Sequence, residues 1–119
     1  MLLIEYPPCT TCIKAKKWLT AQRADFTARH IKQENPTIEE LKRWHALSGQ
    51  PLRRLFNTSG TLYRELGLKE KLDGMTEEEQ FSLLATDGML VRRPILVTEG
   101  SACFGFDEKQ WSEMLCSKR

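Results

Sequence analysis

The chain of 119 residues contains no long hydrophobic run. Nothing in it approaches the roughly 20 apolar residues of a membrane span, and the apolar opening Met1–Ile4 is too short for the core of a signal peptide. A formal net charge of +2 is too small to indicate nucleic-acid binding by itself. Repeats, low-complexity segments and long runs of one charge are also missing. We therefore expect a cytoplasmic protein that binds neither a membrane nor nucleic acid directly.

Histidine is scarce, which weakens the case for a metal site. The two histidines, His30 and His45, are not at ligand spacing, and only one Cys-x-x-Cys pair is present. A structural zinc site usually needs two such pairs, or one pair with two close histidines. Zinc is therefore the weaker alternative, and we expect no metal ion and no prosthetic cofactor.

Cysteine is present at four positions, and the four are not equivalent. Cys103 and Cys116 are isolated, whereas Cys9 and Cys12 form a Cys-x-x-Cys pair. Four cysteines could build a disulfide framework in a small secreted protein, but the reducing cytoplasm disfavours one. The asymmetry instead favours one special pair.

The first thirty residues have the pattern of a strand, a helix and a second strand. Leu2–Tyr6 is predicted to form a short buried strand, which the prolines Pro7-Pro8 end because proline cannot donate to a β-ladder. A helix is predicted to begin at Thr10 or Thr11. Residues 25–31 alternate well enough to form the second strand. This is the βαβ opening of an α/β domain.

The rest of the chain is predicted to be helical and then to return to strands. The helical part covers about residues 36–88, and two capping boxes begin helices there, Thr37 with Glu40 and Thr76 with Glu79. Strands follow at 95–98 and 102–104, and Asp107 caps a last helix. The sequence thus predicts a single domain, 1–119, in which a helical insertion separates a βαβ half from a ββα half.

Cys9 and Cys12 lie where a helix can activate a thiol. A thiolate, not a thiol, attacks disulfides, and a free cysteine has a pKa of about 8.5. Unpaired N–H groups and the positive end of the dipole at a helix N-terminus lower that value. We predict that Cys9, just ahead of the helix, is the exposed nucleophile, and that Cys12, one turn in and partly covered, is the resolving thiol. The alternative is that both are structural thiols in the core.

Arg93-Pro94 opens the third predicted strand. Proline cannot donate a hydrogen bond through its nitrogen, and the bond before it can be cis. A fixed turn at this point would aim Arg93 in a set direction. The alternative, from the residues alone, is a proline on an edge strand beside a solvated arginine.

Longer motifs resemble those of the arsenate reductase and Spx family over nearly the whole chain. They are YPPCTTCIKA (6–15), FNTSG (56–60), ELGL (65–68), LVRRPILV (90–97) and GF (105–106). The resemblance implies an α/β thioredoxin-like fold of order βαβ…ββα, with the helical insertion between the second and third strands. The chain looks closest to the members that carry Cys-x-x-Cys and have no defined role.

The resemblance also implies where the site residues lie. In this family the proline matching Pro94 is cis and faces the redox cysteine, which would place Arg93 beside Cys9. A guanidinium there can hold an oxyanion or lower the pKa of the cysteine. The predicted catalytic residues are Cys9, Cys12 and Arg93, and the predicted substrate-binding residues are Thr10, Thr11, Arg93 and Pro94.

The family includes two functions, and this sequence matches the first, arsenate reduction, only in part. Glutaredoxin-coupled arsenate reductases use one nucleophilic cysteine with several arginines around the oxyanion. Here Asn57 and Gly105-Phe106 stand where two of those arginines are expected, and the second cysteine, Cys12, is one that such enzymes usually lack. Arginines elsewhere could replace the missing ones, and the candidates are Arg53, Arg54 and Arg92.

Spx-type regulators carry Cys-x-x-Cys as a redox switch and bind the C-terminal domain of the RNA polymerase alpha subunit through a glycine in the insertion. Gly49 is the nearest glycine, although a glycine after a helix is also what an ordinary C-cap requires. We predict a thiol-dependent oxidoreductase related to arsenate reductases, with glutathione, glutaredoxin or thioredoxin as its reductant. The alternative is an Spx-like regulator that binds the alpha subunit.

Overall fold

A four-stranded sheet forms the centre of the fold. The computed structural model describes residues 1–117. Its four strands are β1 (Leu2–Glu5), β2 (Thr27–His30), β3 (Ile95–Val97) and β4 (Ala102–Phe104). They lie in the order β2-β1-β3-β4, with β1 and β2 parallel and the other two pairs antiparallel. This order confirms the thioredoxin-like α/β fold.

The helices are divided between the two halves and the insertion. They are α1 (Thr10–Ala21), α2 (Ile38–Ser48), α3 (Thr61–Glu65), α4 (Leu68–Lys71), α5 (Glu77–Leu84) and α6 (Glu108–Ser117), with 3-10 turns at Leu52–Leu55, Leu72–Gly74 and Gly88–Leu90. Four of them, α2 to α5, lie between β2 and β3, as predicted. The second strand is shorter than the predicted 25–31, because residues 25 and 26 precede its first paired residue, Thr27, and residue 31 follows its last, His30. None of these helices in residues 1–117 is long and apolar enough to span a membrane.

Both faces of the sheet are covered by apolar packing. Successive strand residues point to opposite faces, so Leu3 and Ile4 join different clusters. Leu3 and Leu96 pack with Trp111 on the side of α1 and α6. Ile4 packs with the buried side chains of the insertion. The sheet is therefore the middle layer, and the insertion covers one of its faces.

Local signals in the sequence set the ends of the insertion helices. Both capping boxes are complete: the hydroxyl of Thr37 accepts the N–H of Glu40, whose carboxylate accepts the N–H of Thr37, and Thr76 with Glu79 repeats the arrangement. Gly49 closes α2 in the left-handed region, with a φ of 66°. The predicted helix starts and the predicted C-cap are thus confirmed.

The insertion is joined to the sheet through Gln50. Its side-chain oxygen accepts the N–H of Phe104 at 2.8 Å, and its amide nitrogen donates to the carbonyl oxygen of Phe104 at 3.2 Å. Phe104 belongs to β4, the edge strand, whose outer backbone groups need partners. Gln50 thereby satisfies that edge and fixes the insertion beside it.

Candidate active site

The turn before α1 places both cysteines. Cys9 is the N-cap residue, and its own N–H donates to the carbonyl oxygen of Tyr6 at 2.9 Å. Cys12 lies in the first turn, where its Sγ accepts the N–H of Tyr6 at 3.5 Å. Both are free thiols. Cys9, predicted to be exposed, is partly exposed. Cys12 is completely buried rather than partly covered, because α1 packs this face on the sheet.

The pKa of Cys9 is lowered. Partial burial acts against ionisation, but four groups that favour the thiolate outweigh it. These are the backbone N–H and the thiol of Cys12, the backbone N–H of Thr11, and the charge of Arg93. The helix start therefore stabilises a thiolate at Cys9, as its N-cap position predicts.

The pKa of Cys12 is shifted in the opposite direction. Burial, together with the charge of Cys9, raises it to about 12, against the effect of the Tyr6 N–H, which favours the thiolate. Cys9 therefore ionises before Cys12, which keeps its proton and donates it in a hydrogen bond to Cys9. The two thiols differ chemically although they are three residues apart.

Arg93 lines the same cleft as Cys9 and is close enough for its charge to lower the pKa of that thiol. It precedes β3, and its peptide bond to Pro94 is cis, as the family resemblance implies. The guanidinium carbon lies 5.1 Å from the centre of the Tyr6 ring, and Nη1 donates to the carbonyl oxygen of Met89 at 3.4 Å. Nε is buried and has no hydrogen-bond partner among the described residues. Within residues 1–117 no carboxylate is at ion-pair distance from Arg93, so its charge faces Cys9 without being neutralised.

A cleft of about 790 Å³ opens at Cys9. The predicted residues Thr11 and Arg93 line it together with Cys9. Two other predicted substrate-binding residues do not: Thr10 is exposed on α1, and Pro94 is buried. The remaining wall is mostly polar and includes Arg54, Asn57, Ser59, Thr61, Asp87, Arg92, Asp107 and Gln110.

Several residues of the cleft could not be placed from the sequence. Of the three candidate arginines, Arg54 and Arg92 line the cleft, whereas Arg53 pairs with Asp73 at 2.5 Å. Adjacent arginines look alike in sequence, and only the 3-10 turn at 52–55 decides which one faces the cleft. Tyr6 was not predicted as a site residue at all, since a single aromatic residue after a strand carries no signal for stacking on an arginine.

Cys103 is the second cysteine that lines this cleft, after Cys9. It is buried, and its Sγ donates to Oε1 of Gln110 at 3.1 Å. Burial raises its pKa, which keeps it a thiol at neutral pH. Among residues 1–117, no three His, Cys, Asp or Glu side chains are grouped so that they could hold a metal ion.

Comparisons with known proteins agree with this architecture. The ArsC family model matches residues 4–114. The uncharacterized protein YusI of Bacillus subtilis (strain 168) is 49% identical over 108 residues, which are 91% of this chain and 92% of YusI. The regulatory protein MgsR of the same strain is 36% identical over 102 residues, which are 86% of this chain and 79% of MgsR. The crystal structure of an ArsC-family-related protein from Bacteroides fragilis matches with a TM-score of 0.93 at 52% identity and covers 95% of both chains. This chain therefore belongs to the ArsC family.

Proposed function

We propose that this protein is a thiol–disulfide oxidoreductase related to arsenate reductases, in which Cys9 is the nucleophile and Cys12 the resolving thiol. The observation that carries the proposal is the opposite shift of the two pKa values: lowered for Cys9 and raised to about 12 for Cys12. A nucleophile needs a thiolate that substrate can reach, and a resolving thiol needs to stay inactive until the first step is complete.

The first step removes one of the causes that raise the pKa of Cys12, the negative charge of Cys9, although the larger effect of burial remains. The Cys9 thiolate attacks a disulfide, forms a mixed disulfide and releases one thiolate product. The negative charge on Cys9 is then gone, so its contribution to the raised pKa of Cys12 disappears, while the Tyr6 N–H continues to favour a Cys12 thiolate. Cys12 gives its proton to the thiolate released in the first step and attacks Sγ of Cys9. The mixed-disulfide S–S bond breaks, which gives the Cys9–Cys12 disulfide and the second thiolate product.

Arg93 would serve both steps as a fixed positive charge. Its guanidinium lowers the pKa of Cys9. The same positive charge would stabilise the negative charge on the sulfur of the leaving thiolate. The oxidised pair would be returned to the dithiol by glutathione, glutaredoxin or thioredoxin, in a reducing compartment such as the cytoplasm. No prosthetic group takes part in these steps.

The test is a disulfide reductase assay on two single variants. Cys9→Ser should lose activity entirely, whereas Cys12→Ser should stop after one step and accumulate a mixed disulfide on Cys9 that mass spectrometry detects. Cys116→Ser is the control, because Cys116 is an exposed thiol on α6. Full activity of Cys9→Ser would refute the proposal.

A second candidate function is a redox-switched regulator, which is favoured by the 36% identity with the regulatory protein MgsR. Formation of the same disulfide would then change binding to the C-terminal domain of the RNA polymerase alpha subunit. Gly49 would lie at the contact, since it is exposed and no atom lies within 4 Å of the position of an added Cβ. A binding assay with that domain, on oxidised and reduced protein, decides: absence of binding in both states removes this candidate.

A further inference from the structure

Two arginines of the cleft take no part in the proposed exchange between the cysteines. Arg92 is anchored at two points: its backbone N–H donates to the carbonyl oxygen of Leu55, and its Nε donates to the carbonyl oxygen of Arg54, both at 2.7 Å. A guanidinium has five N–H donors, and this anchor uses one of them. The two terminal nitrogens of Arg92 have no partner within residues 1–117 and are held at the cleft wall.

Within the described residues 1–117, no carboxylate forms an ion pair with either arginine of this wall. The pKa of Arg92 is lowered, first by burial and then by the charge of Arg54, with no carboxylate acting in the other direction. Arg53 is different, because Asp73 neutralises it. Two close guanidinium groups without a counter-charge repel each other, and an anion between them would remove that cost.

Three carboxylates line the cleft, and two of them already accept a backbone N–H group at the start of a helical turn. Asp87 accepts the N–H of Met89, and Asp107 accepts the N–H of Gln110, each as a helix cap. Glu65, at the end of α3, is the third. Within residues 1–117 none of the three is at ion-pair distance from Arg54 or Arg92.

The backbone at Gly105 leaves space for the side chain of Arg92. Gly105 has a φ of 91°, in the region that favours glycine, and a Cβ built on it would lie 3.1 Å from Cδ of Arg92. A side chain at position 105 would therefore press on the stem of Arg92. The bare backbone at Gly105 lets Arg92 extend along the cleft.

The size of the cleft indicates what the wall would bind. A volume of about 790 Å³ is far more than a single tetrahedral oxyanion on Cys9 would fill, and it lies in the range of sites for small organic ligands. The wall next to the arginines carries the amide and hydroxyl groups of Asn57, Ser59 and Thr61. Such a surface suits a polar organic molecule with an acidic end.

We infer that Arg54 and Arg92 form a subsite for a carboxylate carried by the disulfide that Cys9 attacks, so that the preferred substrates are small anionic disulfides. The inference rests on the proposed function and adds its substrate class. In the reaction, R–S–S–R takes two electrons and two protons from the dithiol. It leaves as two R–SH molecules, and the protein keeps the Cys9–Cys12 disulfide. The carboxylate is not altered: it only holds the substrate with its sulfur at Cys9.

Three disulfides of equal length test this preference. They are 3,3′-dithiodipropionate, bis(2-hydroxyethyl) disulfide and cystamine, which carry negative, neutral and positive ends. The match in length is that each arm has two methylene groups between the sulfur and the end group. Rates with the protein are divided by rates with free dithiothreitol, so that intrinsic reactivity cancels. The wild type should favour the anionic disulfide, and Arg92→Gln and Arg54→Gln should each lower the anionic-to-neutral ratio by about tenfold. Arg92→Lys keeps the charge and should recover part of the ratio.

Arg53→Gln is the matched control, since Arg53 neighbours the subsite in sequence but pairs with Asp73. Its ratio should equal that of the wild type. An equal fall in Arg53→Gln and Arg92→Gln would overturn the subsite, and so would a wild type that shows no preference for the anionic disulfide.

A binding assay separates failure of the subsite from failure of the redox proposal. S-methylglutathione carries carboxylates but cannot exchange disulfides, and its binding to Cys9→Ser can be followed by calorimetry. Binding that Arg92→Gln abolishes in this background supports the subsite even if no disulfide is reduced. Absence of binding, or displacement by equimolar inorganic sulfate, overturns it, because the site would then be empty or specific for simple oxyanions.

Discussion

Tyr6 is the residue that connects the two cysteines with Arg93. Its carbonyl oxygen holds the N–H of Cys9, its N–H holds the Sγ of Cys12, and its ring lies under the guanidinium of Arg93. An aromatic ring attracts a cation without neutralising it, whereas a carboxylate would cancel the charge. Tyr6 therefore places a positive charge near Cys9 and leaves its effect on the thiolate intact.

The first prediction concerns the thiolate itself. The pH profile of iodoacetamide alkylation at Cys9 should have its midpoint below the value of about 8.5 for a free cysteine, because the folded site lowers the pKa. Cys12→Ala removes a hydrogen bond to the thiolate and should raise the midpoint by about one pH unit. Cys12→Ser keeps a donor and should raise it less. Equal midpoints in the Ala and Ser variants would show that the Cys12 donor does not stabilise the thiolate.

The second prediction tests the ring of Tyr6. Tyr6→Leu removes the aromatic face, so Arg93 loses its fixed position and the alkylation midpoint of Cys9 should rise by about half a pH unit. Tyr6→Phe retains the face and should keep the wild-type midpoint. A rise in both variants would mean that the hydroxyl or the packing matters rather than the ring.

At the scale of the elements, the insertion determines one side of the cleft and depends on close backbone contacts. The clearest contact is at Gly88, which begins the 3-10 turn 88–90 and is buried. An added Cβ would fall on the carbonyl oxygen of Ile31 and would lie 2.7 Å from Oδ1 of Asn35. Glycine is required here because the turn lies directly against the chain that leaves β2.

The third prediction follows from that contact. Gly88→Ala should lower the free energy of unfolding by about 3 kcal/mol, since backbone atoms cannot give way to the new methyl group. Gly74→Ala is the matched control: Gly74 also lies in a 3-10 turn, but no atom is within 4 Å of the added Cβ. Urea denaturation followed by circular dichroism measures both. A loss of similar size in the two variants would contradict the role of the Ile31 contact.

Elements whose signals are local could be predicted from the sequence, and contacts between elements could not. The capping boxes and the start of α1 at Thr10 were predicted because their residues are within three or four positions of one another. The bonds from Gln50 to Phe104 join residues 54 positions apart, and no short pattern announces them. Asn57 and Ser59 line the cleft, although their residue types alone also suit a helix cap.

For the whole molecule, the site depends on residues from three distant parts of the chain. The turn before α1 provides Cys9, the residue before β3 provides Arg93, and the insertion provides Arg54. The cysteine pair was predicted from its spacing at a helix start, and Arg93 was predicted beside it because the family motifs contain Arg93. The pair of Arg54 and Arg92 was not predicted. It forms only when the 3-10 turn at 52–55 meets the segment before β3, where the N–H of Arg92 donates to the carbonyl oxygen of Leu55.

The same arrangement affects the redox balance of the whole protein. A lowered pKa at Cys9 stabilises the reduced form, which makes the corresponding disulfide more oxidising. The thiols outside the pair contribute little, since Cys103 is buried with a raised pKa and Cys116 is isolated on α6. The reduction potential measured for the protein should therefore be that of the Cys9–Cys12 pair alone.

The reduction potential of the Cys9–Cys12 pair tests this account most directly. It can be measured by equilibration in thiol redox buffers, followed by alkylation and mass-spectrometric counting of thiols, on the wild type and on Cys103→Ser/Cys116→Ser. We predict that both proteins lose two thiols in a single two-electron step with a midpoint between about −180 and −300 mV. If no Cys9–Cys12 disulfide forms under mild oxidation, the two-cysteine mechanism is contradicted, and Cys9 could act only as a single nucleophile.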